Sequence, residues 1–169
     1  MRKTVFFLSV LLVSVSMVSA QDLFKKGTNL LNAGIGIGSG IPVELSFEHC
    51  IKDGLIKGEN GAIGIGAYGG WYHESLSYWS YNHYVLGVRG TFHYQFVEKL
   101  DTYAGLMGGY NIATAKWTGD GESIGTSSGS AIGYSFFVGA RYWFKPNLAV
   151  YAEAGYGIAY LSAGVAFKF

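Results

Sequence analysis

The chain has 169 residues and a formal net charge of +1; half of it is apolar, with 17% aromatics, 26 glycines and only 2 prolines. A charge so near neutral argues against nucleic acid as a partner, and the composition is odd for an ordinary soluble domain. Cys50 is the only cysteine, which excludes an intramolecular disulfide and makes a redox role improbable.

The N-terminus carries the first recognisable element. Met1-Arg2-Lys3 supplies positive charge, Val5 to Val18 is an apolar run broken by Ser9, Ser14 and Ser16, and Val18-Ser19-Ala20 is a small-residue exit. That is the pattern of a cleaved secretory signal peptide over residues 1–20. A membrane-spanning helix would need about 20 apolar residues and different flanks. Cleavage after Ala20 makes Gln21 the mature N-terminus and 21–169 a single domain. Losing Arg2 and Lys3 leaves 12 − 2 = 10 basic against 11 acidic residues, a net charge of −1. No cysteine lies near the cleavage point, so a lipid-anchored form is not expected.

No later stretch is apolar for the 18 or so residues of a spanning helix, so the apolar surface has to be carried by strands, in a core or against lipid. Period-two alternation reads eight of them: Thr28 to Gly38, Ile41 to Ile51, Gly61 to Glu74, Asn82 to Val97, Leu100 to Lys116, Ser130 to Phe144, Leu148 to Tyr156 and Ile158 to Phe169. In the third, Ile63, Ile65, Ala67 and Trp71 oppose Gly64, Gly66, Tyr68 and Gly70. In the fourth, Leu86, Val88, Phe92, Tyr94 and Phe96 oppose Gly87, Arg89, Thr91, His93 and Gln95. The sixth sets Ile132, Tyr134, Phe136, Val138, Ala140, Tyr142 and Phe144 against Gly133, Ser135, Phe137, Gly139, Arg141 and Trp143. Most segments reach the roughly 9–11 residues that a tilted strand needs to cross a bilayer. An open sheet would leave backbone groups unpaired in hydrocarbon, so the reading is all-β: a closed eight-stranded antiparallel up-and-down transmembrane β-barrel.

The glycine-rich, charged face belongs inside, because eight strands enclose a lumen just wide enough for side chains to fill. Glu44, Glu48, Arg89, Arg141 and Glu153 fall on that face and predict a buried ion-pair network. Across the hairpin at Lys145-Pro146-Asn147, Arg141 and Glu153 come within diagonal reach and are expected to pair. Aromatics gather at the two strand ends as two interfacial girdles. One contains Trp71, Tyr72, Tyr78, Trp79, Tyr81, Tyr84, Tyr110, Trp117, Tyr156 and Tyr160; the other contains Tyr94, Phe96, Tyr142, Phe144, Phe167 and Phe169.

The eight-strand pattern, the tight hairpin between Phe92 and Gly105 and the terminal Phe169 resemble the small outer-membrane β-barrel family, to which OmpX and the transmembrane part of OmpA belong. The resemblance covers essentially all of Gln21 to Phe169. It implies a place in the Gram-negative outer membrane, with outer-membrane lipid around the barrel and both termini in the periplasm. It further implies that Leu161, Ala163, Val165, Phe167 and Phe169 are read by the barrel-assembly machinery. On that orientation Ser75 to Tyr81 and Trp117 to Gly129 are outer loops. The connection from Lys52 to Asn60 is longer than the short periplasmic turns the family uses.

Other motifs carry less. Gly64-Ile-Gly-Ala-Tyr-Gly69 spells a dinucleotide-binding glycine motif, but it continues a strand into Trp71-Tyr72 instead of opening a helix. His49, His73, His83 and His93 lack zinc-ligand spacing, so no metal, cofactor or catalytic residue is assigned. Some outer-membrane barrels are lipid-modifying enzymes or proteases with Ser, His and acidic groups near the rim; Ser75, His73, Glu74 and His83 are of those types, but their clustering is no better than chance for a polar loop. The leading expectation is a non-enzymatic barrel with a structural or surface-contact role and an unidentified extracellular partner. A narrow pore is the alternative, disfavoured by the bulk of Tyr68, Tyr103, Met107, Phe137 and Trp143 in the lumen. A lipid-modifying enzyme ranks third.

Overall fold

The computed structural model describes residues 23–38, 40–56, 60–119, 125–156 and 159–169. The expected signal peptide, residues 1–20, and Gln21 lie outside the described residues. Eight strands follow in chain order: β1 (Asn29–Ile37), β2 (Val43–Leu55), β3 (Gly61–Leu76), β4 (Trp79–Val97), β5 (Leu100–Trp117), β6 (Thr126–Lys145), β7 (Leu148–Tyr156) and β8 (Leu161–Lys168). Each pairs antiparallel with its sequence neighbour. β1 also pairs with β8, from Leu30↔Lys168 to Ile37↔Leu161, which closes the ring.

Alternation in sequence becomes alternation in burial. Ile132 and Tyr134 on β6 are 79% and 78% exposed, whereas Arg141 on the same strand is fully buried. Leu86, Val88 and Phe92 on β4 are likewise exposed, while Arg89, Thr91 and His93 between them are buried. Apolar side chains therefore cover the outside and charges fill the inside, the reverse of a soluble sandwich and the arrangement that lipid selects.

Glycines make room for the lumen's aromatic rings. A Cβ on Gly139 would lie 2.4 Å from the Tyr103 ring, and one on Gly105 would lie 2.4 Å from the Phe137 ring. Tyr103 and Gly139 face each other directly across β5 and β6, as do Gly105 and Phe137. Large and small residues thus alternate across the ladder, and each ring lies over a neighbouring glycine.

The strands differ in length, and here the structure departs from the sequence reading. β3 to β6 run for 16, 19, 18 and 20 residues, against 9, 9 and 8 for β1, β7 and β8. The supposed loop from Ser75 to Tyr81 is nearly all strand. Leu76 pairs with Trp79, and only Ser77 and Tyr78 turn, with Ser77 left-handed at φ 52°. β6 begins at Thr126, so Trp117 to Gly129 shortens in the same way; residues 120–124 of that connection lie outside the described residues. β2 continues to Leu55 through register shifts between Cys50 and Leu55, which takes up much of the long Lys52–Asn60 connection. Serine- and glycine-rich segments show no hydrophobic period, so their strand character comes from the partner ladder.

Gly139→Val and Gly105→Val should each destabilise the barrel by about 1–3 kcal/mol through overpacking. The readout is a lower temperature for conversion of the folded to the unfolded band in detergent gels. Gly90→Val, where an added Cβ meets nothing within 4 Å, should leave that temperature unchanged.

Candidate functional site

The lumen is filled by polar side chains arranged in tiers. At its centre Arg141, fully buried, donates to Glu48 Oε2 at 2.6 Å, to Asp101 Oδ2 at 3.0 Å and to Asn32 Oδ1 at 3.2 Å. His93 lies between the same two carboxylates, with Nε2 at 2.7 Å from Glu48 Oε1 and Nδ1 at 2.9 Å from Asp101 Oδ1. A ring protonated on both nitrogens donates at each end of such a bridge. The Thr91 hydroxyl also donates to Glu48. Five strands therefore meet at one guanidinium and one imidazole.

A second tier lies farther from the termini. Arg89 donates to Glu153 Oε2 at 2.8 Å and to Ser46 Oγ at 3.3 Å, and the Tyr103 hydroxyl donates to Glu153 at 3.1 Å. Beyond it, Glu44 accepts from the hydroxyls of Tyr68 at 3.0 Å and Tyr151 at 2.7 Å. Both guanidinium groups also lie over aromatic rings, Arg89 at 4.0 Å from the Phe137 centroid and Arg141 at 4.1 Å from that of Tyr103. Stacking leaves each guanidinium edge free to donate in its own plane.

All five charged residues named from the sequence, Glu44, Glu48, Arg89, Arg141 and Glu153, point into the lumen. One expected pairing is not formed: Arg141 does not meet Glu153. Arg141 is directly opposite Asp101 on β5 and leans toward it and across the lumen to Glu48, which leaves Glu153 to Arg89. Asp101 lies within the strand read as Leu100 to Lys116 but is not among the interior charges expected from the sequence. The signal that could have found it is the tight hairpin register, which sets it on the same face as Tyr103 and Met107.

The end of the lumen nearer the termini is covered by a segment with no alternation. Leu23 and Phe24 are buried in a cluster with Cys50, Ala62 and Trp143, and the Phe24 ring lies 4.0 Å from that of His93. Gly27, at φ +90°, lets the chain turn back, and its N–H donates to the Cys50 carbonyl at 2.9 Å. A cavity of about 330 Å³ remains beside this segment, bounded by Phe24, Asp53, Asn60, Gln95, His93 and Asp101.

The β8 residues Leu161, Ala163, Val165 and Phe167, with Phe169 beyond them, lie exposed on the outer face. Phe169 still exchanges backbone hydrogen bonds with Asn29, at 3.0 and 3.2 Å. The supposed upper girdle divides by parity. Trp71, Tyr84 and Tyr110 point outward, whereas Tyr72 faces inward and packs against the buried cluster of Tyr68, Val85 and Met107.

Removing Arg141 takes from the buried Glu48 and Asp101 the guanidinium they share with His93, so Arg141→Ala should cost about 3–5 kcal/mol, read in urea unfolding from detergent or lipid. A double-mutant cycle should find Arg89 and Glu153 coupled by about 1–3 kcal/mol and Arg141 and Glu153 coupled far less. The reverse ranking would show that the side chains pair as first read.

No protein-family model matches the chain, and no curated protein sequence matches it. Solved structures do. A de novo designed transmembrane β-barrel is similar at a TM-score of 0.57 and 20% identity, over 86% of this chain and 98% of its own. The N-terminal β-barrel domain of OprF from Pseudomonas aeruginosa gives 0.56 at 14% identity, over 85% and 98%. Ail, the attachment invasion locus protein of Yersinia pestis, gives 0.57 at 13% identity, over 85% and 99%. Such low identities speak for the fold alone, and the chain has the fold of the small eight-stranded transmembrane β-barrels.

Proposed function

We propose that this chain is an integral outer-membrane protein with a shut lumen, serving the cell envelope as a sealed barrel and meeting its surroundings through its outer wall. The observation that carries this reading is the lattice around Arg141 and Arg89. Two guanidinium groups, four carboxylates and the rings of Tyr103 and Phe137 occupy the cross-section, and Leu23 and Phe24 cover one end. A pore wants a continuous polar lining; here the carboxylates of Glu48, Asp101 and Glu153 are turned toward the guanidinium groups of Arg141 and Arg89. The cleaved signal peptide over residues 1–20 and recognition of the Phe169 strand by the barrel-assembly machinery belong to the same proposal. They supply the route to the membrane.

In planar bilayers the refolded wild-type protein should show no conductance steps, while Arg89→Ala and Arg141→Ala should show them. Reproducible wild-type steps would instead make the barrel a narrow pore, with the charges lining its path.

A contact role draws on a different observation. β7 begins to pair with β6 only at Phe136↔Tyr156, so Thr126–Ser135 has no ladder partner on that side among the described residues. About 30 Å of strand edge therefore projects with open N–H and C=O groups, the arrangement that accepts an added strand. Cells displaying the chain should adhere to one another or to a protein-coated surface more than cells displaying a Ser128→Pro, Ser130→Pro variant. Equal adhesion would remove the contact role and leave the sealed barrel.

A further inference from the structure

At the rim away from the termini, three polar side chains form a line on the outer face of β3 and β4. The Ser75 hydroxyl lies 3.1 Å from Nε2 of His73, and Nδ1 of His73 lies 3.2 Å from Oδ1 of Asn82. With the imidazole proton on Nδ1, Ser75 donates to His73 and His73 donates to Asn82. Backbone register fixes the arrangement: His73 and Asn82 are direct cross-strand partners, and Ser75 follows His73 by two residues on the same face. Nucleophile, base and orienting amide stand in the order that covalent acyl transfer requires. Glu74 and His83, grouped with Ser75 and His73 from the sequence, point to the other face, where His83 stacks on Tyr72 at 4.4 Å.

We propose that Ser75, His73 and Asn82 form an ester-hydrolysing site whose substrate is an acyl ester of a membrane lipid. The substrate class follows from where the triad lies. The neighbouring outward pair on these strands is Trp71↔Tyr84, both exposed, and such rings settle at headgroup level. A tilted strand carries His73 only about 5 Å farther out, beside the polar and ester region of the leaflet. In the row of Ser75, the register runs through Ser80 to Lys116, an exposed cation two strands away, roughly 10 Å by strand spacing, suited to a lipid phosphate.

The Ser75 N–H is the backbone group this site would use as its oxyanion donor. The His73 carbonyl faces Gly40, on the β2 side of β3. Residues two apart along a strand present their backbone groups to the same side, so the Ser75 N–H points that way too. Attack of Ser75 Oγ on the ester carbonyl forms the new C–O bond while His73 Nε2 takes the hydroxyl proton. Collapse of the tetrahedral adduct breaks the ester C–O bond, and His73 returns the proton to the leaving alcohol. Water then attacks the acyl-serine carbonyl as His73 takes its proton; the bond to Ser75 Oγ breaks, His73 returns the proton to that oxygen, and the fatty acid is released.

The site needs a lipid-facing wall and is indifferent to whether the lumen conducts, so its failure would leave the sealed-barrel reading standing. The test measures fatty-acid release by the purified full chain in mixed micelles of nonionic detergent and a diacylphosphatidylethanolamine, alongside labelling by a fluorophosphonate mapped by peptide mass. Wild type should release fatty acid and carry the label on Ser75. Ser75→Ala and His73→Ala should lower turnover by roughly 100-fold or more. Asn82 is a positioning residue: Asn82→Ala should lower kcat about 10-fold with KM unchanged, and Asn82→Asp should restore it. All three side chains lie at the surface, and the detergent-gel band shift checks that each barrel is intact. Absence of both release and labelling in the wild type, or undiminished release by Ser75→Ala, would overturn the proposal and reduce the row to a hydrogen-bonded rim.

Discussion

Backbone hydrogen bonding is the constraint on which everything else depends. In hydrocarbon every N–H and C=O must find a partner within the protein, and eight strands whose last pairs with the first satisfy that condition around the whole ring. Closure at eight strands then fixes the lumen's width, which is filled by side chains and leaves little over. The apolar outside and the charged inside both follow. Large hydrophobic residues face lipid, and whatever faces inward has to satisfy itself in a confined space.

The interior solves that problem by sharing. Glu48 and Asp101 each serve both Arg141 and His93, so no carboxylate there depends on a single cation. Glu44 has no cation among its hydrogen-bond donors and is held by two tyrosine hydroxyls. Aromatic rings under the two guanidinium groups cover the faces that hydrogen bonds cannot reach. Such a lattice is stiff because its members are held from several strands.

At the rim the strands outrun what closure requires. β3 to β6 extend beyond their shorter neighbours, and that excess wall carries both the stretch of β6 without a β7 partner among the described residues and the row from Ser75 to Asn82. The two faces of this wall differ in chemistry. Its inner face holds stacked Tyr72 and His83, and its outer face holds hydroxyl, imidazole and amide groups at the level of the lipid heads.

Strand number, the inward and outward faces and the presence of Glu44, Glu48, Arg89, Arg141 and Glu153 in the lumen were legible in the amino-acid sequence, because alternation is a local property of an extended chain. Which charges meet was decided by the tertiary structure. Arg141 had a sequence-local candidate in Glu153 and took Asp101 and Glu48 instead, since partners across a barrel depend on register and on the lean of long side chains over several strands. The same reason hid Asn82, which becomes a neighbour of His73 only through a hairpin whose length the polar residues from Ser75 to Tyr81 did not reveal. Leu23 and Phe24 were equally silent, having no period to betray them and acquiring their place only once the barrel offers a mouth to fill.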